Sequence, residues 1–172
     1  ADGSAFDHLF ENDEEFTIAD MPAKIIHTPG HTPADTTYIV GNAAFVGDTI
    51  FLPDVGSGRC DFPGGSAEDS YDSSRKLFAL PDDLRIYVGH DYPPEGTRGP
   101  ECMTTVGEQK AKTTRLPIGI AKNSFVAQRK ADDTGKAVPA LLLPSIQANM
   151  RTGRFGAAVN GIQYVKLPVN RL

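Results

Sequence analysis

The order of apolar runs and chain breakers predicts a mixed fold, α/β or α+β. Three observations carry that reading: short β-rich runs punctuated by Gly and Pro, a stretch over 67–80 with helical period, and a middle that runs strand, loop, helix, strand. The totals agree. The chain has 172 residues, 40% hydrophobic and 23% charged, with 17 glycines and 13 prolines. That is more breakers than a helical bundle carries, at a length usual for one domain of roughly 100–200 residues.

Residues 1–13 are polar and irregular in pattern. Glu15–Ile18 reads as a short strand closed by the turn Asp20-Met21-Pro22, and Ala23–His27 as a second. Thr28-Pro29-Gly30 ends it, because Pro cannot donate to a ladder. Thr36–Val40 and Ala43–Val46 flank Gly41-Asn42, a loop tolerant of positive φ, and predict a β-hairpin. From Gly47 to Gly65 the chain has no period, a long loop of the kind that carries function. Ser66, with Asp69 three residues on, caps a helix over Ala67–Leu80 whose Ala67, Tyr71, Ser74 and Phe78 share a face. Pro81-Asp82-Asp83 stops it. Leu84–Val88 is then a strand with Gly89-His90-Asp91 at its carboxyl end. Helices are expected near Thr104–Thr114, Ser124–Asp133 and Ser145–Met150, and Ile162–Leu167 as a closing strand.

Seventeen Lys and Arg against 22 Asp and Glu give a formal charge of −5, with no basic stripe to meet phosphates, so no nucleic-acid partner is expected. No apolar run approaches the roughly 20 residues of a bilayer span, and no charged-then-apolar leader opens the chain, so no membrane partner is expected either. Cys60 and Cys102 are too few for a disulfide framework or a multi-thiolate zinc site and suit a reducing, cytoplasmic setting.

Three potential metal ligands occupy equivalent places. His31 follows a strand and a Pro-Gly turn, Asp48 follows Phe45-Val46-Gly47, and His90 follows Val88-Gly89. Each would project from a strand end into a loop, where ligands collect in open sheets. Imidazole with carboxylate suits zinc or non-haem iron. Taken singly, each reads first as a hydrogen-bonded surface residue, and it is their repetition at three strand ends that points to a site.

The wording of these segments goes further. His27-Thr28-Pro29-Gly30-His31-Thr32, Phe45-Val46-Gly47-Asp48-Thr49-Ile50-Phe51 and Gly89-His90-Asp91-Tyr92 resemble, in order, the downstream motifs of the metallo-β-lactamase superfamily. Gly56-Ser57-Gly58-Arg59-Cys60-Asp61-Phe62, Phe125-Val126 and Pro144–Arg151 are similar to its persulfide dioxygenase and β-lactamase-like hydrolase branch, to which glyoxalase II is a neighbour. The resemblance runs from about Phe6 to Pro168 and implies an αββα sandwich of two related halves. Residues 1–172 would be a single incomplete domain holding the end of the first half and all of the second.

The resemblance also implies roles. His31 is a metal ligand, and Asp48 is the carboxylate that binds a single iron or bridges two metals. His90 is a second-metal ligand in the hydrolases. Arg59 and Tyr92 face a glutathione-type substrate or support the metal shell, with Asp48 and Tyr92 as catalytic residues. His27 is not a ligand, and Cys60 reads as a packed thiol. The implied activity is oxidation of glutathione persulfide by O2 to sulfite and glutathione on Fe(2+). The alternatives are a hydrolase with one or two Zn(2+) acting on glutathione thioesters, and a non-catalytic half-domain needing a partner chain.

One motif is missing. The superfamily's His-x-His-x-Asp-His does not occur, and the Asp7-His8 pair has Gly3 and Ala5 where histidines would stand. An iron site would lack its third protein ligand, and a sheet face would lack its cover. The expectation is a fragment, split protein or degenerate homologue that forms a homo-oligomer or associates with its missing half.

Overall fold

A computed structural model describes residues 3–167. Two compact units result: Glu11–Thr134, and a second that joins the residues before Glu11 to those from Gly135 onward.

In the larger unit the strands are β1 (Glu15–Ile18), β2 (Met21–His27), β3 (Thr36–Val40), β4 (Ala43–Phe45), β5 (Arg85–Tyr87) and β6 (Met103–Thr105). They form one sheet in sequence order, antiparallel throughout except for the parallel β4–β5 pair. Gly41, at φ +54°, makes the tight β3–β4 turn. The β4-to-β5 connection contains α1 (Ala67–Phe78), as a parallel pair requires. Ser66 caps this helix by accepting the Asp69 N–H at 3.1 Å. The helices α2 (Val106–Lys112) and α3 (Lys122–Asp133) follow β6.

Alternation along the central strands decides which face is covered. Ala44, Val46 and Ile86 point into a core shared with Leu77 and Phe78 of α1, Val106 of α2 and Phe125 of α3. On the other face Tyr38, Phe45, Tyr87 and Met103 lie directly opposite one another across four strands, and all but the half-buried Tyr87 are exposed. Phe45 and Tyr87 stack there at 5.4 Å between ring centres.

The second unit carries α4 (Leu142–Asn149), none of whose residues is buried. The Gln147 side chain ties it to Lys166 by donating to the Lys166 carbonyl at 2.8 Å and accepting its N–H at 3.0 Å. Among the described residues no helix is long and apolar enough to cross a membrane.

Two expectations are corrected. Thr104 lies in β6, not in a helix: its backbone pairs with Ile86, and helix begins only after Thr105, whose side chain accepts the Glu108 N–H. Ile162–Leu167 forms no strand. A single antiparallel bridge joins Val159 to Ile162 around Asn160 and Gly161, both at positive φ, and an alternating pattern without a partner strand makes no ladder.

Candidate metal centre

Three strand ends deliver the three expected ligands. After β2 the chain turns through Thr28-Pro29-Gly30 against α1. Ser73 donates its hydroxyl to the Pro29 carbonyl at 2.7 Å, and the Ser66 N–H donates to the Gly30 carbonyl at 2.8 Å. Gly30 sits at φ +154°, and a Cβ there would lie 2.5 Å from Ser70 Cα. Only glycine allows so close an approach of turn and helix. Buried hydroxyls fix the turn from beneath, Thr28 contacting Thr37 at 3.1 Å and Thr49, next to Asp48, at 3.2 Å.

Asp48 leaves β4 through Gly47, at φ +52°. The Gly89 N–H donates to the Gly47 carbonyl at 3.0 Å, and the Gly58 N–H to the Asp48 carbonyl at 3.1 Å. The turns carrying Asp48 and His90 are therefore bonded to each other directly.

The side chains then converge on one atom. His31 Nε2 lies 3.5 Å from Asp48 Oδ2, and His90 Nε2 lies 3.7 Å from the same oxygen. His31 is largely buried, whereas the His90 side chain is 58% exposed. The other nitrogen of His31 decides the chemistry. Nδ1 is 2.7 Å from the Arg59 carbonyl, which can only accept, so Nδ1 carries the proton. In the neutral ring Nε2 then turns a lone pair toward a carboxylate oxygen, an arrangement completed by a cation. Two ligands of one tetrahedral ion stand about 3.4 Å apart when each bond is about 2.1 Å. The donor types and this spacing fit zinc or iron. The set is incomplete by itself: among the described residues no group of three or more His, Cys, Asp or Glu is arranged to hold a metal ion.

The other expected residues are distributed around this centre. His27 donates from Nε2 to the Pro33 carbonyl at 2.9 Å, while its backbone N–H is taken by Asn12. Arg59 is clamped to Asp61 by two bonds of 2.6 Å, and its guanidinium lies over Phe62, whose ring edges against His31. Tyr92 is exposed, 5.9 Å from the His90 ring and edge-on to Phe51. Cys60 is buried, and burial pushes its thiol up to about 11. Asp7 and His8 belong to the other unit.

Two supporting groups escaped the sequence reading. Arg98 bridges Asp54 and Asp91 with bonds of 2.6 to 2.9 Å, tying the His90 loop to the loop after Asp48. Hydrogen bonds from Arg98 hold both carboxyls below their ordinary range, against burial. Residue spacing gives no sign of that contact. Arg129 and Asp133 pair inside α3 at 2.6 and 3.0 Å. A signal for them existed: together with buried Phe125 they recur every four residues on one helix face.

Comparison with known proteins identifies the family. Residues 2–90 match the family model described as the metallo-beta-lactamase superfamily, and that stretch contains His31, Asp48 and His90. "Glyoxylase B2" of Dictyostelium discoideum is 47% identical over 173 residues, covering 99% of this chain and 59% of that protein. The mitochondrial "Persulfide dioxygenase ETHE1" of Bos taurus is 30% identical over 154 residues, covering 88% of this chain and 56% of its own length. The crystal structure of ETHE1 from Myxococcus xanthus superposes with a TM-score of 0.73 at 29% identity, over 84% of this chain and 60% of that one. The chain thus spans somewhat over half the length of these relatives.

Proposed function

Since the chain belongs to the metallo-beta-lactamase superfamily, we propose that His31, Asp48 and His90 are its share of a metal centre acting on a glutathione-derived thiol compound. The finer reading is a persulfide dioxygenase that uses Fe(2+) and O2. One observation carries the metal centre: both Nε2 atoms face Asp48 Oδ2, with His31 held as the Nδ1–H tautomer by the Arg59 carbonyl. The similarity to a persulfide dioxygenase over most of the chain supports the choice of reaction.

A bound ferrous ion would supply the redox chemistry, which is the metal's own. The chain's residues do the rest. Asp48 offsets the positive charge, and His31 presents a fixed lone pair. Phe62, packed on His31 beneath the Arg59 guanidinium, limits water on that side. The exposed Tyr92 hydroxyl and the Arg59–Asp61 pair stand beside His90 and His31, where a polar thiol substrate would be oriented.

The approach of His90 to the Asp48 oxygen favours a second reading. It suits a hydrolase of glutathione thioesters in which Asp48 and His90 would help hold zinc, a metal that would supply activated water when bound.

Metal titration followed by two assays separates them. The dioxygenase reading expects about one iron per chain, lost in His31→Ala and Asp48→Ala, and O2 uptake with glutathione persulfide by the loaded protein. Two zincs per chain, with thioester hydrolysis abolished by His90→Ala, would replace it by the hydrolase. Failure to bind either metal would remove both.

A further inference from the structure

We propose that Arg129 and Asp133 of α3 are positioning residues for His31, acting through the loop that holds its Nδ1 proton. The inference rests on the reading of His31 as a metal ligand.

The connection can be followed bond by bond. His31 Nδ1 donates to the Arg59 carbonyl at 2.7 Å. That carbonyl shares one planar peptide with the Cys60 N–H, so whatever holds the N–H aims the carbonyl. The Cys60 N–H donates to Asp133 Oδ2 at 2.8 Å. Nearer the start of the loop, Arg129 donates to the Ser57 carbonyl at 3.3 Å. The same Asp133 oxygen accepts Arg129 Nε at 3.0 Å, and the second accepts a terminal nitrogen of Arg129 at 2.6 Å. Arg129 is 9% exposed and Asp133 6%. Gly58 completes the frame: its N–H donates to the Asp48 carbonyl, and a Cβ there would overlap that oxygen.

Stability alone does not account for such a pair. Desolvating two charges cancels most of their attraction, and well-packed apolar residues in their place are often neutral or better. What apolar residues cannot supply is an acceptor for the Cys60 N–H and a donor for the Ser57 carbonyl. The pair fixes the Arg59–Cys60 peptide, which carries the His31-accepting carbonyl, and the Ser57–Gly58 peptide earlier in the loop, and with them the hydrogen bond that sets the His31 tautomer. Partners of a ligand's second nitrogen typically change metal affinity 10- to 100-fold when removed.

The test compares two double variants. Arg129→Met with Asp133→Asn removes the charges but keeps an oxygen for the Cys60 N–H. Arg129→Met with Asp133→Leu removes that oxygen as well. Co(2+) titration of the folded proteins is expected to give a modest loss, under about 10-fold, for the first, which lacks only the donor to the Ser57 carbonyl, and about 10- to 100-fold weaker binding for the second. In the metal-free proteins, 15N NMR of the His31 ring is expected to show the Nδ1–H tautomer in wild type and the Asn variant, with the Nε2–H form gaining in the Leu variant. Equal affinities and unchanged ring shifts in both variants would overturn the proposal. Should the Leu variant not fold, a wild-type His31 in the Nε2–H form would overturn it, and the Nδ1–H form with a weakened Asp133→Ser variant would support it. If wild-type protein binds no Co(2+), the ligand reading fails, while the NMR comparison still decides the positioning role.

Discussion

The Asp48 carboxylate lies where any side chain on residue 89 would begin: a Cβ in place of the Gly89 hydrogen would stand 2.7 Å from Asp48 Oδ1 and 3.1 Å from the Gly47 backbone. The glycine before His90 is the gap into which the Asp48 carboxylate fits. Gly89→Ala is expected to push the Asp48 carboxylate aside, at little cost in stability because the clash falls on the end of a side chain, but at least about 10-fold in metal affinity, as for a displaced ligand. Urea unfolding and Co(2+) titration measure the two. Gly119→Ala, where nothing lies within 4 Å of the added carbon, should leave affinity unchanged. Equal effects from both substitutions would contradict the argument.

The two cysteines should differ sharply toward thiol reagents. Cys102 is exposed, whereas burial pushes the Cys60 thiol up to about 11. At pH 8 only about one Cys60 in a thousand is thiolate, the reactive form. Labelling of the native protein is expected to modify one thiol promptly, identified by mass spectrometry as Cys102, and both after denaturation. Rapid native labelling of Cys60 would show that its cover opens.

Arg98 makes an acid-dependent contribution. Its hydrogen bonds keep the Asp91 and Asp54 carboxyls charged to a lower pH in the folded chain than in the unfolded one. The stabilisation is therefore complete above the ordinary value of about 4 and is lost as pH falls through the depressed folded values. Arg98→Met should lower the urea midpoint at pH 7, and the gap from wild type should close below about pH 4 as the carboxyls protonate. A gap independent of pH would mean that Arg98 acts by packing its stem alone.

Ser66→Ala is a milder change, expected to cost about 1 kcal/mol through loss of the α1 cap. Because the Ser66 N–H also bonds the Gly30 carbonyl through the backbone, the substitution should spare the turn before His31. Thermal unfolding should shift while metal affinity stays constant.

Much of this architecture could be read from local signals. The Ser66 cap, the Gly41-Asn42 turn and the three glycine-preceded strand ends each depend on residues within a few positions, and each is where the pattern put it. Thr104 failed because β pairing with Ile86 outweighed a helical reading. The Thr105-x-x-Glu108 spacing, a capping signal, marks the true helix start. Ile162–Leu167 failed because a strand needs a partner that its own sequence does not specify. Of the centre, the three residues that converge, His31, Asp48 and His90, were visible. The lock on His31 was not, since it joins residues 31, 59 and 133 through backbone groups that every residue possesses.

The sequential order of the six strands has a consequence for the path by which the chain folds. From β1 to β4 each partner is the next segment to be reached, so this meander needs only short closures. The β4–β5 pair is different: it must wait for residues 46–84, with α1, to collapse between its strands. The strands that lead to His31 and Asp48 therefore belong to an early-forming half, whereas the groups that fix both turns arrive in the late one with His90. In pulse-labelled hydrogen exchange during refolding, the amides of Ile25 and Tyr38 are expected to gain protection before that of Ile86, so that the last event in building the sheet is also the one that completes the ligand set.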